Sequence, residues 1–265
     1  MTYKMIVSDL DGTLLNDKKE ISPLTIEVVK KLSNKIPFVI ATARAPRDVK
    51  GILNALDITG PTICYNGALV YNTNPSDYIH YEVIPPPISE VFFQRIYAKK
   101  IATSYWLEKN DQYWISDIHN EDIKRWMQDG LSPVGIGNCE KFIKEPFSKV
   151  IFNGDHMQII ELIKKEFSDQ LTYVYSDSTK KWLEVLRRGV SKGEAVRMIS
   201  KNMGIDLSQV VAFGDSENDI EMLRIVGKGI AMENSSEELK TVIKERASSN
   251  QNDGVANKLI ELFEL

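Results

Sequence analysis

Asp9-Leu10-Asp11-Gly12-Thr13 places two carboxylates two positions apart, directly after the apolar run Met5-Ile6-Val7. A short apolar run bounded by turn residues reads as a buried strand. Asp and Gly are depleted in strand interiors and an unpaired buried carboxylate is costly, so the chain leaves the strand here. Taken alone, the segment also fits a plain solvated turn, because Asp-Gly is a common turn pair. Other apolar runs end in comparable clusters. Phe38-Val39-Ile40-Ala41 ends in Thr42-Ala43-Arg44, and Thr62-Ile63-Cys64-Tyr65 ends in Asn66-Gly67. Val210-Val211-Ala212-Phe213 ends in Gly214-Asp215-Ser216-Glu217-Asn218-Asp219. In an open parallel sheet these strand ends share one edge, which is where ligands bind.

Asp9, Asp11 and Asp215 gathered at such an edge repel one another unless a cation sits among them. Carboxylate and carbonyl oxygens suit a hard ion, and Mg²⁺ typically combines one or two protein carboxylates with waters and a substrate phosphate oxygen. Thr42 offers a hydroxyl donor, Asn66 and Asn218 offer amide donors, and Lys192 offers a mobile positive charge suited to phosphate. Each of these residues also has a plainer reading. Ser191 and Glu194 fit a capping box, which puts Lys192 in a first helical turn, where the macrodipole disfavours a cation and a solvated lysine is the ordinary outcome. Acids are favoured in a first turn, so Glu217, Asp219 and Glu221 need no catalytic reason. Thr42 and Asn66 are common strand-end residues, and Arg44 suits either an ion pair or a phosphate ligand.

The elements between these motifs alternate. Ser22-Pro23 has the N-cap and first-turn proline of a helix start, with Ile26, Val29 and Leu32 at helical spacing. Pro46 opens a second helix with Val49, Ile52, Leu53 and Leu56 on one face. Strands alternating with such helices imply βαβ units and a parallel sheet. The pattern changes at Pro85-Pro86-Pro87, which reads as a stiff extended hinge. A helix over 89–100, strand-like stretches at 103–107 and 112–116, a helix over 121–128, a strand at 148–152, a helix over 157–167 and strands at 171–175 and 182–186 follow. That is an α+β pattern with antiparallel character. Alternation resumes with a helix over 193–203 closed by Gly204. The fold class is therefore α/β: a Rossmann-like, doubly wound parallel sheet core built from 1–84 and 188–265, interrupted by an inserted α+β domain over 85–187.

Composition narrows the setting. A net charge of -4 gives no global basic field for nucleic acid or an anionic membrane surface. Cys64 and Cys139 lack CxxC spacing, and His80, His119 and His156 are scattered, which argues against zinc or a disulfide framework. No signal segment and no apolar run of membrane-spanning length is present, so a cytoplasmic location is expected.

Asp9–Thr13, Thr42, Lys192-Gly193 and Gly214–Asp219, taken in order, resemble the four motifs of the haloacid dehalogenase-like phosphatase superfamily. Asn66-Gly67-Ala68 ahead of the insert, Ala231-Met232-Glu233-Asn234 and Asp253-Gly254-Val255 are similar to its Cof-type branch. Ala43 departs from the usual Gly, and Glu233 from a small or basic residue. The resemblance implies a Mg²⁺-dependent phosphatase for small phosphorylated metabolites, sugar phosphates among them. It implies Asp9 as nucleophile forming an aspartyl-phosphate and Asp11 as general acid–base. Mg²⁺ would be held by Asp9, Asp215 and the Asp11 carbonyl. Thr42, Lys192, Asn218 and the N–H groups of Leu10 and Ala43 would bind the phosphoryl oxygens, with Asp219 supporting the metal from behind. The insert would be a mobile cap, with Tyr113, Trp114, Trp182, Glu184 and Arg187 as specificity candidates, although aromatic residues there equally suit the module's own core. A phosphomutase shares the machinery. A phospho-receiver shares the acids, lysine and threonine but needs neither Asp11 nor a cap.

Overall fold

Every residue of β1 (Met5–Ser8), β2 (Phe38–Ala41), β3 (Thr62–Cys64) and β12 (Val210–Gly214) is buried, as expected for a sheet covered on both faces. The computed structural model describes residues 3–72, 77–117, 121, 124, 132–138, 140–175 and 180–265. Its contacts divide the chain into two units, Met1–His80 with Ser191–Leu265, and Tyr81–Val190. In the first unit β4 (Leu69–Tyr71), β5 (Tyr78–Tyr81), β13 (Lys228–Met232) and β14 (Arg246–Ala247) complete an eight-stranded sheet of order β14-β13-β12-β1-β2-β3-β4-β5. Pairing is parallel from β14 through β3, and β4 returns antiparallel on β3. Strand order reverses between β1 and β12, where Val7 lies beside Ala212. That reversal is the switch point at which open α/β sheets bind ligands.

Helices α1 (Pro23–Ser33) and α2 (Pro46–Leu56) both open on a proline, and Ser22 Oγ accepts the Thr25 N–H to cap the first. Helix α5 (Lys192–Met203) is capped by Ser191, whose Oγ accepts the Glu194 N–H, and it closes on left-handed Gly204. Short α6 (Ile220–Ile225) and α7 (Glu237–Val242) precede α8 (Gly254–Phe263). Met5, Val7, Val39, Ala41, Val210 and Ala212 pack on Ala195, Val196 and Ile199 of α5 and on Met222 and Leu223 of α6. Each large apolar side chain sealed in this way contributes roughly 1.5–3 kcal/mol of transfer free energy, enough in sum to hold the strand ends in register.

The second unit is a sheet of order β10-β11-β9-β6-β7-β8, comprising β6 (Ala102–Lys109), β7 (Gln112–Ile115), β8 (Gly135–Ile136), β9 (Lys149–Gly154), β10 (Leu171–Tyr175) and β11 (Leu183–Arg187). It is antiparallel except for the β7–β8 pair. Helices α3 (Pro86–Lys99) and α4 (His156–Glu166) cover one face, burying Phe92, Phe93, Ile159 and Ile163 with Leu107, Val150 and Phe152. Trp106, Tyr113, Ile115, Ile151 and Trp182 form a separate cluster, with Trp106 and Tyr113 stacked at 4.0 Å. The extended hinge expected at the triple proline is instead a helix start. Pro85 is the N-cap and Pro86 and Pro87 begin α3, because the first helical N–H groups have no partner to lose and proline's φ is already helical. The helix expected over 121–128, His119 and Cys139 lie largely or wholly outside the described residues. No described helix is long and apolar enough to cross a membrane.

One turn locks the first unit. Tyr65 and Asn66 take left-handed backbone at φ 52° and 56°, and Gly67 follows at φ 107°. A Cβ on Gly67 would lie 2.2 Å from the Ser191 carbonyl oxygen, so the turn sits directly against the cap of α5. Gly67→Ala should therefore lower the unfolding free energy by about 3 kcal/mol, measured by urea denaturation. A variant as stable as the parent would show that the contact is not rigid.

Candidate active site

The strand ends bring the acids together against their mutual repulsion and the cost of burying them. Asp9 leaves β1 with its N–H on the Phe213 carbonyl of β12 at 3.0 Å, which ties it to the strand carrying Asp215. Asp9, Asp215 and Asp219 are all buried, and carboxylate oxygens from each lie within 4.8 Å of one another. Lys192, 1% exposed, reaches between them and donates from Nζ to Asp9 Oδ1 and to Asp219 Oδ1, both at 2.7 Å. The lysine sits where the macrodipole opposes it, at the first residue of α5, and two carboxylates outweigh that penalty.

Asp219 is satisfied by its own chain. Its Oδ2 accepts the N–H groups of Asp215 at 3.0 Å and Ser216 at 3.1 Å, completing a capping box with Ser216. Gly214 permits this closeness, since a Cβ there would meet the Asp219 Cβ at 2.5 Å. Asp215 accepts from Thr13 Oγ1 and from Ser216 Oγ, each at 3.0 Å. Those bonds orient its carboxylate without neutralising it. Burial and the Asp219 charge push Asp215 up to about 6 against the pull of Lys192. Burial likewise raises Asp9, opposed by Lys192 and reinforced by Asp219 and Asp215. Lys192 itself is raised, because the two acids overcome the desolvation that would lower it.

Asp11 takes a different environment. Arg44 grips it with two bonds, Nε to Oδ2 at 2.6 Å and Nη2 to Oδ1 at 2.7 Å, and Lys19 Nζ reaches Oδ1 at 2.7 Å. Burial alone would raise Asp11, but the Arg44 fork and then Lys19 hold it at about 2. Arg44 is therefore seen as an ion-pair partner. Thr42 is buried and its Oγ1 accepts the Arg44 N–H at 3.2 Å, leaving the hydroxyl proton to point elsewhere. Ala43 is not among the residues with left-handed backbone, so the departure from Gly introduces no strain. Leu10 is buried, and its carbonyl accepts the N–H groups of Thr13 and Leu15 to close the loop.

Asn66 N–H is bonded to the Thr42 carbonyl at 3.0 Å, and its Oδ1 accepts from Asn218 Nδ2 at 2.9 Å. One Asn218 donor is thus engaged with Asn66. Glu233, the second departure, accepts the Ser249 N–H at 3.2 Å. Among the cap candidates, Trp114 Nε1 donates to the Gly137 carbonyl at 3.0 Å, and Glu184 pairs with Lys149 at 2.9 Å. Arg187 Nη1 donates to the Gln170 carbonyl at 2.7 Å, while Tyr113 and Trp182 belong to the aromatic cluster. Sequence reasoning gave no role to Thr13, Ser216 or Lys19. The first two sit inside the quoted motifs, so their spacing could have suggested them. Lys19 comes from a polar loop, where its left-handed backbone, φ 63°, has no sequence signal.

The family model of haloacid dehalogenase-like hydrolases matches residues 6–259. A candidate phosphatase of Haemophilus influenzae is 30% identical over 269 residues, spanning 99% of each chain. The 5-amino-6-(5-phospho-D-ribitylamino)uracil phosphatase of Bacillus subtilis is 28% identical over 272 residues and 98% of each chain. An HMP-PP phosphatase of Serratia proteamaculans is 27% identical over 247 residues, 91% of this chain and 88% of its own. A solved Thermotoga maritima protein matches with a TM-score of 0.83 at 27% identity, covering 98% of this chain and 97% of that one.

Replacing Lys192 leaves Asp9 and Asp219 buried without their shared cation. Lys192→Met should cost about 3–5 kcal/mol of stability at pH 7, and less at pH 4.5, where Asp9, raised by burial, gains a proton. Urea unfolding at the two pH values checks this, and an equal loss at both would remove the electrostatic cause.

Proposed function

Because the chain belongs to the haloacid dehalogenase-like hydrolases, we propose that it is a Mg²⁺-dependent phosphatase that works through a phosphorylated Asp9. The observation that carries this reading is the wedge of Lys192 among the Asp9, Asp215 and Asp219 carboxylates. The donor set suits Mg²⁺: hard oxygens, two of them on acids whose ionised forms are disfavoured by burial until a cation joins them. Asp9, Asp215 and the Asp11 carbonyl would hold the ion. Asp219 is already bonded to Lys192, Asp215 and Ser216, and serves from behind by orienting the lysine and the loop. When bound, Mg²⁺ offsets charge on the phosphoryl oxygens and aligns the ester for in-line attack.

The residues then divide the work. Lys192 engages Asp9 Oδ1, which leaves Oδ2 to attack phosphorus as the ester oxygen departs. Asp11 gives that oxygen a proton and later takes one from the water that releases phosphate. In the clamped state Asp11 is ionised, so the Arg44 pair must open before Asp11 can act as the acid. Lys192, the Thr42 hydroxyl, Asn218 and the N–H groups of Leu10 and Ala43 stabilise the transferring phosphoryl oxygens. Dehalogenase chemistry needs no leaving-group acid, so Asp11 favours phosphoryl transfer. The inserted unit acts as a cap that discriminates among leaving groups. Small phosphorylated metabolites, sugar phosphates among them, are the proposed substrates. The name of the Bacillus subtilis relative, with its phosphorylated ribityl group, supports that class.

Phosphate release from a panel of sugar phosphates should require Mg²⁺ and stop on chelation. Asp9→Asn should lose turnover while keeping its melting temperature, and retained activity would take the nucleophile role from Asp9. The raised Asp215 carboxyl adds a pH test. Its contribution to metal-free stability is complete below its unfolded value of 3.8 and is lost as pH rises through about 6. A bound cation reverses that loss by holding the ionised form. Mg²⁺ should therefore raise the melting temperature more at pH 7.5 than at pH 5, as read by thermal unfolding. An equal rise at both would place the ion elsewhere.

A further inference from the structure

Between β13 and α7, residues 234–236 touch both acid-bearing loops. Asn234 Nδ2 donates to the Gly12 carbonyl at 2.8 Å, and the Ser236 N–H donates to the Asp215 carbonyl at 2.9 Å. One short segment therefore spans the loop after β1 and the loop after β12. The Asn234 amide has a defined orientation, since its Oδ1 accepts the Asn250 N–H at 3.0 Å and only Nδ2 is left to donate. Asn250 is 7% exposed and holds the same loop further along, donating from Nδ2 to the Leu15 carbonyl at 2.9 Å and to Asp17 Oδ1 at 3.1 Å.

The gripped residue is the one that most needs holding. Gly12 has φ +83°, and a Cβ there would lie 2.5 Å from Asp215 Oδ2. Glycine is required by that approach, yet it is also the residue with the most backbone freedom. A loose Gly12 would let the Asp11 carbonyl, on the adjoining peptide, swing away from Asp215. We propose that Asn234 is a positioning residue that pins Gly12 and so sets the spacing of the Asp9–Asp11 loop from Asp215 for a divalent cation. This rests on the reading that these groups hold Mg²⁺. It also gives a task to the Ala231-Met232-Glu233-Asn234 motif, which the chemistry of the site leaves unused.

The test is calorimetric titration of the full chain with MgCl₂. Asn234→Ala should weaken Mg²⁺ binding about tenfold, raising the Mg²⁺ concentration needed for half-maximal turnover while kcat at saturating Mg²⁺ stays near the parent value. Glu233→Ala, which loses the Ser249 contact, should bind Mg²⁺ as the parent does. Should Asn234→Ala melt too low to titrate, Asn234→Ser keeps a polar group beside Asn250 but cannot reach Gly12, and should show the same weakening. Unchanged Mg²⁺ affinity in the Asn234 variants overturns the inference. So does a loss shared equally by Glu233→Ala, which would mark a general loosening of the segment. A parent protein that binds no Mg²⁺ would instead overturn the metal reading, and this inference with it.

Discussion

Asp9, Asp215 and Asp219 bring carboxylate oxygens within 4.8 Å of one another in a buried site, and repulsion at that spacing is the constraint that the rest of the unit answers. Lys192 supplies one positive charge for the three acids. It can do so only because α5 begins where its first residue points among the strand ends. Burial makes the lysine effective, since no bulk water screens its pairs, and burial also makes its loss costly. Asp219 shares the lysine with Asp9 and accepts two backbone N–H groups. Asp215 accepts hydroxyl hydrogen bonds from Thr13 and Ser216. One lysine does not balance three acids, and Asp9 and Asp215 are where a divalent cation and a phosphoryl group are proposed to meet.

The site depends on close backbone approaches that side chains would prevent. Gly12 lies against Asp215, Gly214 against Asp219, and Gly67 against Ser191. Each approach joins a strand-end loop to a charged group or to the cap of the helix that carries one. The acids are thus spaced by backbone contacts rather than by flexible side chains, which is what the proposed site for one small ion and one phosphoryl group would require. Asn234 and Ser236 extend the same logic by linking the two acid-bearing loops from a third.

Asp11 shows how one motif can hold two carboxylates in different states. Asp9 is driven towards protonation by burial and by its acidic neighbours, and Asp11 is held ionised by Arg44 and Lys19. Residues two apart in a strand would share a face. However, β1 ends at Ser8 and the chain then turns on the Leu10 carbonyl, which accepts the Thr13 and Leu15 N–H groups, so Asp11 is carried into other surroundings. If Asp11 is the proposed acid–base group, this hold poises it to act as a base. In the reaction proposed above, its role as an acid would require Arg44 to move off the carboxylate.

Much of this was legible in the chain itself. Apolar runs of strand length ending in Asp9, Thr42, Asn66 and Asp215, separated by helix-start signals at Ser22 and Ser191, specify an alternating α/β sheet with those residues at one edge. Period and capping are local properties, and they survive without coordinates. Partner choice is not local. The sequence left Arg44 between ion pair and phosphate ligand, gave Lys19 no role, and read Pro85–Pro87 as an extended hinge where Pro86 and Pro87 open a helix. Only the folded chain assigned Arg44 and Lys19 to Asp11, set Asn218 against Asn66, and wedged Lys192 between Asp9 and Asp219. Those pairings join residues up to 183 positions apart. They follow from which strand ends the sheet order makes neighbours, and a one-dimensional pattern of residue types does not carry that information.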